Sequence, residues 1–303
     1  MKKFVGYLLC IICLWFVFDR IGGTAMWRLN QRSLDSTSPK IREIVESVDA
    51  DVVMMGTSRC NCHYVPSILQ DTLGMTTYNA GIDGSDNIFA QYMALCYLLQ
   101  RHKPKVLCLE VQNSFIEEEE SAFRTTGFFA PYFGLNEKAD HVFRLSGDYW
   151  LYKISHLYRF NTKVLANLTG QVKSHWYQNE SGYLPKERPV VFPSPAHWGE
   201  EEVIVNETKV QYLKMFVDEC RTNGIALCFV ISPAYGIAEP SYYAQLHAFA
   251  DSHNIPLLDY HTSGLFIDHQ EYFKDCFHLW DEGARLYSSV FASDLKRILQ
   301  LRR

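Results

Sequence analysis

The sequence predicts an α/β fold of three layers, α/β/α, around a central parallel sheet of about five strands. Three observations lead there. Short, mostly apolar runs, most of them closed by a small or turn-forming residue, alternate with segments of helical period. Strands without polar alternation suit a sheet covered on both faces, which is the habit of parallel sheets. A chain of 303 residues, 48% of them hydrophobic, can bury one sizeable core with room for an insertion.

At the start, Lys2 and Lys3 precede an unbroken apolar run from Phe4 to Phe18, which Asp19 and Arg20 interrupt. The run is long enough for a signal segment and short for a span, and its mostly uncharged continuation lets a tilted helix reach Trp27. Residues 1–27 read as an uncleaved signal anchor with the lysines on the cytoplasmic side. Residues 28–303 then lie outside the cytoplasm, in the periplasm or at the cell surface. Cleavage at Gly23-Thr24-Ala25 and a buried first helix are the alternatives.

Pro39 to Val48 reads as a helix leading into a first strand, Asp51 to Gly56. Thr76 to Ala80 is the second strand, Asp86 to Arg101 a helix capped by Asp86, and Val106 to Val111 the third strand. Glu207 to Arg221 is an amphipathic helix ended by Asn223-Gly224. Ile225 to Ile231 is a strand stopped by Ser232-Pro233, followed by a helix from Pro240 to His253. A short strand, Pro256 to Asp259, and a helix from Glu282 to Leu301 close the chain.

Residues 114–205 break the alternation and are too many for an ordinary connection. They are dense in aromatics, among them Phe128, Phe129, Tyr132, Tyr152, Trp176, Tyr177, Tyr183 and Trp198. This insertion reads as a cap over the C-terminal edge of the sheet. Its rings suit either a platform for sugar faces or a satellite core. Glu117 to Glu120 reads as a solvated face, and His197 as structural.

A net charge of −5 provides no electrostatic footprint for nucleic acid. Nine cysteines, two of them in the apolar run, show no framework spacing, and most read as small hydrophobes. Cys60-Asn61-Cys62 raises the thought of a metal pair but lacks a second ligand pair at zinc spacing.

Two strings carry chemistry. Val52-Val53-Met54-Met55-Gly56-Thr57-Ser58-Arg59 is a strand entering a tight turn with a serine at its tip. Asp275-Cys276-Phe277-His278 is an Asp-x-x-His ahead of the last helix. A serine hydroxyl needs a base to take its proton, histidine titrates in the right range, and a carboxylate fixes the imidazole tautomer. Ser58, His278 and Asp275 are therefore the candidate nucleophile, base and orienting acid. His63, five positions after Ser58, points off the same helical face and competes poorly with His278.

These residues resemble the SGNH (GDSL-type) hydrolases. Ser58 in Gly-Thr-Ser-Arg matches the family's first block, where Gly-Asp-Ser is common. Gly81 in Tyr78-Asn79-Ala80-Gly81 matches the second, Asn113 stands in the place of the third without its usual flanking residues, and Asp275 with His278 matches the last. The resemblance spans roughly residues 50–113 and 224–300 and implies a flavodoxin-like α/β/α domain. It implies an oxyanion hole built from the N–H groups of Ser58 and Gly81 and the Asn113 side chain, with no metal or organic cofactor. Arg59, Asp83 and Trp198 are candidate substrate contacts. Arg59 suits either an anionic group of the substrate or a local carboxylate, and Asp83 and Asp86 also suit turn and capping roles. Asn167, Asn179 and Asn206 form glycosylation sequons.

The anchor and the aromatic insertion are similar to those of anchored SGNH-like proteins that work with membrane-bound O-acyltransferases on cell-surface polymers. That similarity implies an O-acyl ester hydrolase or O-acyltransferase acting on an extracytoplasmic glycan. A non-catalytic glycan-binding or assembly protein of the same fold, partnering a membrane acyltransferase, is the alternative.

Overall fold

The computed structural model describes residues 1–35, 37–118, 123–169, 180–199, 203–239 and 241–301. Helix α1 (Lys2–Asn30) leads, followed by α2 (Ser38–Glu46), β1 (Val52–Met55), α3 (Ser58–His63), α4 (Pro66–Leu73) and β2 (Thr77–Asn79). Next come α5 (Ile88–Leu99) and β3 (Val106–Glu110). The insertion contributes α6 (Glu137–Leu145), α7 (Tyr149–Ile154), α8 (Val164–Thr169) and β4 (Ala196–Trp198). The chain closes with α9 (Glu207–Thr222), β5 (Ala226–Ile231), β6 (Gly236–Ala238), α10 (Ala244–Ser252), β7 (Leu257–Asp259) and α11 (Asp281–Leu301).

Five strands form one parallel sheet in the order β2-β1-β3-β5-β7. The pleat sorts their side chains into two cores. Val53, Met55, Leu107, Leu109, Leu227 and Phe229 pack with residues of α2, α5, α9 and α10. Val52, Met54, Val106, Cys108, Cys228 and Val230 pack on the other side with residues of α3, α4 and α11. Both faces are thus covered, which is why β1 and β5 read as unbroken apolar runs. Because the sheet is parallel, β1, β3 and β5 all end on one edge, and the loops after them meet there.

The insertion mostly extends the first core. Phe129, Tyr132, Phe133, Phe143 and Tyr152 are buried in the same cluster as the sheet residues, with Tyr97 stacked on Phe129 and Phe89 on Phe123. Most of its described aromatics therefore serve as satellite core. Trp176, Tyr177, Asn179, Glu119, Glu120 and Pro240 lie outside the described residues. Asn167 is fully buried in α8, and Asn206 caps α9 by accepting from Lys209 N–H at 2.9 Å, so both sequons carry structural asparagines.

Helix α1 runs three residues past the expected Trp27, and Gly23-Thr24-Ala25 lies within it. It is the one helix among the described residues long and apolar enough to cross a membrane, a property shared by anchors and signal sequences. Its last turns dock on the domain, with Trp27 edge-on to Tyr132.

Candidate active site

The site is assembled by the turn after β1. Gly56 has φ +152°, and a Cβ there would lie 2.7 Å from Glu110 Cβ, so the turn tolerates only glycine. It delivers Ser58 as the first residue of α3, where backbone N–H groups have no acceptor within the helix.

Across the cleft, Asp275 forms an Asx turn. Its Oδ1 accepts the N–H of Phe277 at 2.8 Å and of His278 at 2.9 Å. The two carboxylate oxygens lie 2.9 and 3.0 Å from His278 Nδ1, and His278 Nε2 lies 2.8 Å from Ser58 Oγ. Nδ1–H facing the carboxylate leaves Nε2 free to accept the serine proton, a tautomer inferred from this bonding. Burial alone would raise the Asp275 pKa, but the His278 hydrogen bond and charge and the two backbone N–H groups hold it below the ordinary carboxylate value. The spacing of three residues works because a turn, rather than a helix, puts both side chains on one side.

Beneath the surface runs a buried polar relay that the sequence reading missed. Leu279 N–H donates to His63 Nε2 at 2.9 Å, and His63 Nδ1 lies 2.8 Å from Ser232 Oγ. Ser232 donates its hydroxyl to Glu110 Oε1 at 2.7 Å and its N–H to the same oxygen at 3.0 Å. Arg59 pairs with Glu110 at 3.2 Å and donates to Ser232 Oγ at 3.2 Å and to the Ser232 carbonyl. Tyr64 donates its hydroxyl to Glu110. Every donor finds an acceptor if His63 is neutral with its proton on Nδ1. Burial, reinforced by the Arg59 charge, pushes the His63 pKa well below its ordinary value, in agreement. One end of this relay adjoins Ser58 through Arg59, and the other adjoins His278 through Leu279. The local signal was faint: a histidine on the buried face of a six-residue helix, whose partners lie 169 and 216 positions away.

Several expected contacts need correction. Arg59 is 6% exposed and pairs its guanidinium with Glu110 and Ser232, as the local-carboxylate reading has it, while the residue also lines the cleft. Asp83 is not in the cleft lining; it accepts from Asn61 at 2.8 Å and faces Lys186 at 3.4 Å, tying the insertion to α3. Gly81 N–H donates to Asn79 Oδ1 at 2.9 Å, and Gly81 is likewise absent from the lining. Its glycine identity answers to packing: a Cβ would sit 2.3 Å from the Asn61 nitrogen. Asn113 does line the cleft, with Nδ2 donating to the Tyr242 carbonyl at 2.7 Å and the side chain also bonding the Tyr242 hydroxyl. Burial pushes the Cys60 and Cys62 thiols above their ordinary value, so both are protonated near neutral pH.

The cleft holds about 310 Å³. Ser58 and His278 stand on one side. Trp198, Phe277, Tyr242 and Tyr243 supply ring surface, while Asp86, Gln112, Asn113 and Glu117 supply polar groups. Trp198 is carried in by a small second parallel sheet of β4 and β6, absent from the sequence expectation, and sits edge-on to Phe277 and His261. The arrangement can move a proton between a hydroxyl and an imidazole held by a carboxylate, beside a pocket of mixed character.

No family model matches the chain, and no curated protein does. Among solved structures it is similar to a protein provisionally described as lipolytic and of the G-D-S-L family, from Desulfitobacterium hafniense DCB-2. Identity there is 13% and the TM-score 0.42, over 80% of this chain and 98% of that one. It is similar also to a protein provisionally described as an acylhydrolase, from Bacteroides fragilis NCTC 9343, at 14% identity and TM-score 0.44, over 86% and 95%. An acetyl xylan esterase, AlAXEase, follows at 13% identity and TM-score 0.39, over 80% and 98%. Likenesses this distant leave the reading of the site to its own geometry.

Proposed function

We propose that this chain is an SGNH-type serine esterase or acyltransferase that forms an acyl-enzyme on Ser58. The observation that carries the reading is the line Ser58 Oγ, His278 and Asp275, joined at 2.8 and 2.9 Å from residues 220 and three positions apart. Ser58 Oγ attacks the acyl carbon as His278 Nε2 takes its proton. His278 then protonates the leaving alkoxide, and Asp275 stabilises the imidazolium between the two steps. The Ser58 N–H and the Asn113 amide, once turned from Tyr242, are the candidate donors to the oxyanion; Gly81 is withdrawn from that role. Water or a second hydroxyl completes the cycle, so hydrolysis and transfer share the same first half.

Ring surface beside hydrogen-bonding groups in a cleft of this size supports an O-acylated sugar as the ester. With α1 as an anchor, the substrate is an acylated glycan of the cell envelope on the extracytoplasmic side, and a membrane-bound O-acyltransferase is a fitting partner for transfer. The test is ester turnover by the full chain in detergent, using p-nitrophenyl acetate and an O-acetylated oligosaccharide. Ser58→Ala and His278→Ala should each lose about 10⁴–10⁶-fold in kcat, and Asp275→Asn about 10³–10⁴-fold. Unchanged turnover in Ser58→Ala would end the reading. Turnover of the small ester with none of the acetylated oligosaccharide would leave the triad standing and remove the sugar.

A further inference from the structure

Outside α1 and the cleft, the insertion carries an exposed apolar face with no protein over it among the described residues. Trp150, Leu151 and Ile154 on α7 are 58, 48 and 55% exposed, and Leu145 at the end of α6 is 38% exposed. Arg144 and Lys153, both exposed, flank this face; Arg144 lies over the Tyr149 ring at 3.9 Å and Lys153 over Trp150 at 5.2 Å. Tryptophan beside leucine and isoleucine, rimmed by long cations, is the composition of a surface that rests at a membrane–water boundary.

Its place relative to α1 says which boundary. The apolar run Phe4 to Phe18 ends at Asp19, which is 2% exposed and pinned to the loop that follows α7. The Asp19 carboxylate accepts the N–H groups of His156 at 2.8 Å and Leu157 at 3.1 Å and the hydroxyl of Ser155. Arg20 donates to the Ile154 carbonyl at 3.0 Å. The end of α7 is thus fastened to the residue where the apolar run stops, and Trp150 and Leu151 lie within about one helical turn of it.

Length supplies the second argument. A fifteen-residue helical run spans about 22 Å, whereas a hydrocarbon core is about 30 Å thick. If α1 crosses a bilayer, the apolar zone extends past Phe18 to the level of Asp19, Ile21 and the face of α7. A carboxylate there must be internally satisfied, and Asp19 is.

We propose that α7 and the end of α6 form an interfacial seat. Leu145, Trp150, Leu151 and Ile154 rest in the headgroup–acyl boundary of the bilayer that α1 crosses, with Arg144 and Lys153 reaching lipid phosphates. The proposal rests on reading α1 as a span rather than a cleaved signal. The seat completes the short apolar run and fixes the domain against the membrane surface instead of leaving it on a free tether.

The test uses the full chain in nanodiscs of phosphatidylcholine brominated either near the headgroup or near the chain ends. Tryptophan emission is compared among wild type, Trp150→Phe and Trp15→Phe, each difference isolating one ring. Both residues are exposed, so neither change threatens folding. The proposal expects Trp150 emission to fall by about half or more with bromine near the headgroup, and Trp15 emission to fall with bromine near the chain ends. Trp15 quenched and Trp150 untouched by either lipid would overturn the seat while leaving the span, and would assign the face to water or another protein. Neither ring quenched would overturn the span and the seat together.

Discussion

Glu110→Gln is the substitution that most sharply tests how the site is held. Glu110 is fully buried, and its Oε1 accepts from Arg59 and twice from Ser232, while Oε2 accepts from Tyr64. Glutamine can keep the carbonyl at Oε1 and place its amide against the Tyr64 oxygen, which can accept as well as donate. The change therefore removes little but the charge. At 3.2 Å and an effective dielectric constant of about 20, the attraction to Arg59 is about 5 kcal/mol before desolvation. Burial raises the Glu110 carboxyl above its ordinary value, and the Arg59 charge with the Tyr64 and Ser232 hydrogen bonds limits that rise, so part of the attraction offsets desolvation. Stranding a buried arginine costs about 3–5 kcal/mol. We expect Glu110→Gln to lower unfolding free energy by about 3 kcal/mol in urea titrations followed by circular dichroism. Arg59→Met on top of it should restore more than half, because the double variant holds no unpaired charge. A single variant within about 1 kcal/mol of wild type, or a double variant whose loss is the sum of the singles, would refute the ion pair as the clamp beneath Ser58.

Gly81→Ala should destabilise by about 1–3 kcal/mol and cut esterase kcat with little change in KM, since its methyl collides with backbone of α3 and displaces Ser58; urea titration beside turnover checks it, and a silent substitution would refute the contact. Asp140 is 8% exposed and accepts the Gly134 N–H on both oxygens, yet burial pushes its pKa up to about 6 from an ordinary 3.8. Between those values the folded chain holds a proton the unfolded chain has lost, so stability falls as pH rises through that window, by at most about 3 kcal/mol. Neutral, buried His63 contributes a slope of opposite sign below its ordinary 6.5, so the readout is a difference. The stability of wild type minus that of Asp140→Asn, measured at stepped pH, should fall as pH rises from 3.8 to about 6.

The sheet was legible because its information is local: short runs ending at Gly56, Val111 and Ser232, apolar but for Glu110, mark buried parallel strands and the edge where loops converge. Ser58, Asp275 and His278 were legible for the same reason, each set by a short string. α4 carried signals that went unread, Pro66 at its first turn and Gly74 in the left-handed conformation after its end. What stayed hidden is long-range. The three-residue strands β4 and β6 have no periodicity of their own and exist only as a pair. The His63 relay joins groups from four separate segments, and only burial reveals that each must satisfy the next. Gly81 misled because a glycine kept for close backbone packing and one kept for a free N–H look alike in sequence.

The most direct measurement is covalent. The full chain is treated with a fluorophosphonate probe, digested and mapped by mass spectrometry, beside His278→Ala. The account expects one adduct, on Ser58, with labelling slowed at least about 10³-fold in the variant. An adduct on another residue, or equal labelling of Ser58 with and without His278, would contradict it.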